Sequence, residues 1–102
     1  MFPEVQSAQC HVAELCRRHN VRRLEIFGSA TDPHFDPTIG ELHFIVEFAP
    51  FPAGGYSEHY FALLEGLKQL FNRPIDLLVG RAVRNPYLLE SINRSRELLY
   101  AA

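Results

Sequence analysis

Three short pieces of this chain have residue types and spacings that could do chemistry: Gly28-Ser29, Glu41-x-His43 and Asp76. Gly28-Ser29 closes the apolar run "RRLEIF" (22–27). A glycine there lets the backbone come close to a phosphate, the serine adds a hydroxyl, and a helix starting just beyond would offer free N–H groups. The same pair also ends many strands simply because turns favour both residues. Glu41 and His43 lie two apart in "ELHFIVEF" (41–48), and alternate residues of a strand project to the same side. Two carboxylates so placed would hold two Mg²⁺ ions about 4 Å apart for phosphoryl or nucleotidyl transfer. Asp76 stands alone inside "PIDLLVG" (74–80). An unpaired carboxylate in an apolar strand is costly, so it should face a cleft, a metal or a cation, Arg73 being the simplest partner.

The elements that must position these residues follow from periodicity. Residues 4–19 read as a helix with Val5, Ala8, Val12, Leu15 and Cys16 on its apolar face, stopped at Asn20. A short strand over 22–27 delivers Gly28. Residues 30–40, with two prolines, two aspartates and Gly40, read as a loop or a short helix with a loop. In the strand over 41–48, Leu42, Phe44, Val46 and Phe48 share one face and Glu41, His43, Ile45 and Glu47 the other. After the Pro/Gly loop "APFPAGG" (49–55), Ser57 is expected to cap a helix over 58–71 with Phe61, Leu64, Leu67, Leu70 and Phe71 inward. A buried strand over 74–80 follows. Asn85-Pro86 starts a last helix, with Leu88, Leu89, Ile92, Leu99 and Tyr100 turned inward. Helix, strand, strand, helix, strand, helix is the order of an α/β (α+β) domain with a small mixed sheet flanked by helices.

Length and composition set the bounds. At 102 residues and 47% hydrophobic, residues 1–102 are expected to form one domain with a small core. Twelve acidic against ten basic residues, net −2, do not indicate a nucleic-acid partner. The local cluster Arg17, Arg18, Arg22 and Arg23 reads as a solvated helix end, or as a contact for a phosphate or an acidic partner. Cys10 and Cys16 lie about 9 Å apart along a helix and on different faces, too far for a disulfide. His11, His19, His34 and His59 show no metal-ligand spacing and read as surface residues. The start lacks a signal-peptide pattern and no apolar run approaches a membrane span, so a soluble cytoplasmic protein is expected.

In order and type, these pieces resemble the minimal nucleotidyltransferases (MNT domains) of the DNA polymerase beta superfamily, which pair with HEPN-type partners in toxin–antitoxin systems. "FGS" (27–29) matches the family's Gly-Ser, "GELHFIVEF" (40–48) stands where its Ser-Asp-x-Asp strand would be, and "RPIDLLV" (73–79) carries Asp76 in the place of its third carboxylate. "RAVRNPYLLESINRSRELLY" (81–100) is similar to its closing helix, including the Asn-Pro-Tyr start. The resemblance covers nearly the whole chain. It implies a polymerase beta palm-like fold, Gly28 and Ser29 at a nucleotide, Glu41 and Asp76 on metal, and Glu41, His43 and Asp76 as the catalytic set. ATP with Mg²⁺ or Mn²⁺ would be the cofactors of an active member.

The departures decide between readings. Glu41 reaches one methylene further than the family's aspartate, His43 replaces a carboxylate that would bridge two ions, and Ala30 stands where an arginine usually follows Gly-Ser. An imidazole is a poor ligand for Mg²⁺ and a better one for Mn²⁺ or Zn²⁺. The reading adopted is an antitoxin-like subunit with an impaired metal site that binds a HEPN-type partner. The alternatives are an active enzyme moving AMP from ATP to a protein hydroxyl, and a nucleotide-binding sensor without turnover. A homo-oligomer is compatible with all three.

Overall fold

The computed structural model describes residues 3–28 and 40–102; Ser29, Ala30, His34 and the expected loop over 30–40, Gly40 apart, lie outside the described residues. Two short helices, α1 (Pro3–Ser7) and α2 (Gln9–Arg18), lead into β1 (Val21–Phe27). β2 (Leu42–Phe48), α3 (Tyr56–Phe71) and β3 (Ile75–Val79) follow. A 3₁₀ turn (Gly80–Ala82), α4 (Pro86–Ser95) and β4 (Glu97–Ala101) complete the order. The four strands form one mixed sheet in the order β3-β2-β1-β4. β1 runs antiparallel to β2 and β4, and β2 runs parallel to β3, with α3 as the crossover.

The expected helix over 4–19 is present with a single turn residue, Ala8, between its two pieces. The Val12 amide still bonds the Ala8 carbonyl at 3.0 Å, so the helical path hardly breaks. Its inward face is the expected one: Val5, Val12 and Cys16 are fully buried, and Ala8 and Leu15 pack against the core. Asn20 stops it in the left-handed conformation, φ 59°, which asparagine adopts at lower cost than other side chains. Leu42, Phe44, Val46 and Phe48 of β2 point into the same core, as alternation requires. α2 and α3 cover that face. Gly66 lets them approach closely, for a Cβ there would lie 2.9 Å from Leu15 Cδ2.

Four expectations need correction. Ser57 makes no cap: α3 starts at Tyr56 behind Gly55, which takes a left-handed conformation and offers no side-chain bond. The stripe of α3 is rotated from the expected one, with Leu63 buried beside Leu67 and Phe71 and with Phe61 mostly exposed. The closing stretch is not one helix. α4 does start as read, with Asn85 Oδ1 accepting from the amides of Tyr87 and Leu88 and Pro86 in the first turn. It ends at Ser95, and the chain then turns into β4, whose Leu99 enters the core. Within α4 only Ile92 is buried, while Leu88 and Leu89 stay largely exposed. The physical reason is β1: with β2 on one side only, it would leave a row of unpaired amides and carbonyls on the other, and β4 satisfies them.

Candidate functional site

The face of the sheet away from α2 and α3 carries the chemistry. Here the strand register matters more than the spacing along the chain. Phe27 on β1 is opposite His43 on β2, and His43 is opposite Asp76 on β3. The three form one row across the sheet. Glu41, two residues before His43, projects on the same side from the residue that precedes β2. The result is a cluster in which one ligand atom each from Glu41, His43 and Asp76 lies within 4.8 Å of the others. His43 Nδ1 is 3.3 Å from Asp76 Oδ2 and 3.7 Å from Glu41 Oε1. All three side chains remain open to solvent, so an ion or a phosphate can reach them.

Asp76 therefore meets an imidazole, not Arg73. Arg73 instead pairs with Glu4 at 2.7 Å and ties α1 to the turn before β3.

The imidazole of His43 is held from behind. The Phe27 ring lies against it, centroids 5.6 Å apart. Gly28 follows with φ +82°, and a Cβ built on it would sit 3.4 Å from His43 Cδ2. Glycine is thus favoured at 28 for its conformation, and a Cβ there would come only into ordinary contact with the ring. The Gly28 amide is not turned to open space: it donates to Ser95 Oγ at 2.9 Å. The pairing joins the end of β1 to the end of α4.

Beside this cluster the same face is closed over. Phe27, Ile45 and Ile92 form a small apolar cluster under α4, with Leu78 and Val83 packed against it. Glu25, almost fully buried, is gripped by Arg96 through Nε at 2.9 Å and Nη2 at 2.6 Å, with Arg23 Nε at 3.0 Å. The hydrogen bond from Arg96 holds the Glu25 carboxyl below its ordinary range, against the opposing effect of burial.

A second contact escaped the sequence reading. His19 and His59, read as surface residues, meet Nδ1 to Nδ1 at 3.1 Å, with the Phe51 ring stacked on His59 at 5.1 Å. Burial, then the neighbouring His59 and Arg18, hold His19 below the usual histidine range. The two are 40 residues apart in sequence, and Glu25 and Arg96 are 71 apart. No local spacing could have announced either pair. A groove of about 580 Å³ between α2 and α3 lies on the opposite side of the sheet from the Glu41–His43–Asp76 cluster. Of the arginine cluster, Arg18 pairs with Glu14 within α2 and Arg23 with Glu25.

The donor set can be tested against the two-Mg²⁺ arrangement. Such a pair needs oxygen donors and a carboxylate shared between the ions. Here the central position of the row is an imidazole, which offers one nitrogen to one ion and cannot bridge. The residues present do not fit two Mg²⁺ ions.

No protein-family model matches the sequence, and no curated protein matches it significantly. Solved structures do match. A structure assigned as a minimal nucleotidyltransferase superposes with a TM-score of 0.72 at 24% identity, over 90% of this chain and 89% of that one. A variant of the MntA–HpeT toxin–antitoxin pair gives 0.67 at 17% identity, over 92% and 73% of the two chains. The Shewanella oneidensis complex of tri-AMPylated HEPN toxin with MNT antitoxin gives 0.65 at 15% identity, over 96% and 73%. The mixed sheet and its crossover helix thus have the minimal nucleotidyltransferase fold.

Proposed function

We propose that this chain is the partner-binding, antitoxin-like subunit of a HEPN-type toxin–antitoxin pair, with nucleotidyl transfer lost or strongly reduced. The observation that carries the reading is His43. It occupies the middle of the row between Phe27 and Asp76, where a two-ion mechanism needs a bridging carboxylate. The partner is supported by the complexes that share this fold, in which an MNT antitoxin is bound to a HEPN toxin. Residues 1–102 would act as one nucleotidyltransferase-like domain, and the pair would work in the cytoplasm.

A second reading has its own support. Glu41 and Asp76 remain as exposed carboxylates on one face, and a structure of the same fold was obtained as a toxin–antitoxin complex with AMP-PNP. In that reading the chain moves AMP from ATP to a protein hydroxyl. Glu41 and Asp76 would hold metal, and Gly28 and Ser29 would lie at the nucleotide.

The test is co-purification with a co-expressed HEPN-type protein, followed by incubation with labelled ATP and either Mg²⁺ or Mn²⁺. The double variant Glu41→Asp with His43→Asp runs beside the native chain. Stable capture with no transfer, and transfer gained by the double variant, is the expected result. Label transferred by the native chain would replace the first reading with the second. Nucleotide binding without transfer by either form would make the chain a sensor.

A further inference from the structure

We propose that Glu41, His43 and Asp76 form a site for a single divalent transition ion of the Zn²⁺ or Co²⁺ kind, in place of a magnesium pair. The inference rests on the misfit to two Mg²⁺ ions described above, but not on the HEPN partner.

Distances carry the argument. Metal–ligand bonds of roughly 2.0–2.2 Å put neighbouring ligand atoms of a tetrahedral shell about 3.4 Å apart. His43 Nδ1 stands 3.3 Å from Asp76 Oδ2 and 3.7 Å from Glu41 Oε1. Other ion pairs among the described residues run from 2.6 Å (Arg96 to Glu25, Arg94 to Glu90) through 2.7 Å (Arg73 to Glu4) and 3.0 Å (Arg23 to Glu25) to 3.2 Å (Arg18 to Glu14). The His43–Asp76 contact is also within hydrogen-bond reach, so an ion would take the place of that bond. Among the described residues the ion-pair contacts of Glu41, His43 and Asp76 are with one another, so no arginine or lysine competes for the two carboxylates.

Chemistry and support agree with the distances. One imidazole and two carboxylates form a mixed nitrogen and oxygen set, which suits zinc-like ions better than magnesium. Three protein ligands leave a fourth position for water or a phosphate oxygen. Metal-ligating histidines need their ring orientation fixed. Here the Phe27 ring on one side and the Asp76 carboxylate on the other position it. Asp76 and His43 are register partners on neighbouring strands, so the sheet itself holds two of the three ligands.

The experiment is titration of untagged protein with Co²⁺, read by visible absorption, and with Zn²⁺ and Mg²⁺, read by calorimetry. One Co²⁺ per chain is expected, with Zn²⁺ displacing it and Mg²⁺ failing to at equal concentration. His43→Ala and Asp76→Asn should each weaken Co²⁺ binding by at least about tenfold. His43→Asp should shift preference from Zn²⁺ toward Mg²⁺ and Mn²⁺, a readout that a merely unfolded variant would not give. The other imidazole pair supplies the control. If Co²⁺ binding survives His43→Ala and disappears with His59→Gln, the ion belongs at His19 and His59 and the proposal is overturned. Absence of saturable Co²⁺ or Zn²⁺ binding by the folded native chain overturns it as well. Partner capture measured in a chelator is a separate result: its loss with metal binding intact removes the HEPN reading and leaves this one standing.

Discussion

The two faces of the sheet are built from the same strands and obey different rules. On the closed face, Leu24, Ile26, Leu42, Phe44, Val46 and Leu77 meet α2 and α3 in a continuous apolar core. On the other, Phe27, Ile45 and Ile92 make only a small cluster with Leu78 and Val83 packed against it, and Glu25, His43 and Asp76 lie beside it. The closed face is held by packing, in which every atom counts. The open face is held by a few pairs whose partners come from far along the chain. The first tolerates little change in volume. The second should tolerate changes at Glu41, His43 and Asp76 better, because those groups are partly solvated and none of them is in the core.

The comparison can be broken at several points, with effects that should fall in order. Phe44→Ala, at the centre of the closed face and stacked on Phe71, should cost about 4 kcal/mol in denaturant unfolding. Arg96→Ala leaves the Glu25 carboxylate buried with only Arg23 and should cost about 3 kcal/mol. If it costs as little as a surface substitution, the open face is not held by its pairs. Asn85→Ala removes the cap of α4 and should cost about 1 kcal/mol. His43→Ala should change stability by less than about 0.5 kcal/mol. A large loss there would mean that the row is a brace and not a site.

Acid sharpens the same contrast. His19 has a lowered pKa in the folded protein, so the unfolded chain takes up the proton first. Its contribution is complete above the unfolded value of 6.5 and is lost as pH falls through the lower folded value. Glu25, also lowered, adds a second loss below its ordinary value of 4.5. Thermal unfolding followed from pH 7.5 downward should therefore show a first decline below about pH 6.5. His19→Gln should abolish that decline and leave the Glu25 step unchanged. An unaltered first decline would assign it elsewhere.

Much of this was legible in the residues, and particular ones show why. β2 was readable because alternation is a local property: its core-facing residues Leu42, Phe44, Val46 and Phe48 occupy every second position, and each is buried. Asn85-Pro86 was readable because a cap acts over three residues. The first helix was readable through Asn20, whose type suits the left-handed stop. Phe61 misled because a helical stripe can be drawn at several phases when apolar residues abound, and only packing into the core selected Leu63. β4 was missed because "RELLYA" also suits a helix, and its strand state depends on the free edge of β1.

The sequence by itself determined the alternating faces of β2, the capped start of α4, and that Glu41 and His43 leave their strand on one side. Those follow from dihedral geometry within a few residues. The tertiary structure decided what those side chains meet. The parallel register of β2 and β3 put Asp76 beside His43, and Glu4 drew Arg73 away from it. It also brought Arg96 back over 71 residues to Glu25. Register and long-range pairing are settled by the packing of whole elements, which no local pattern encodes.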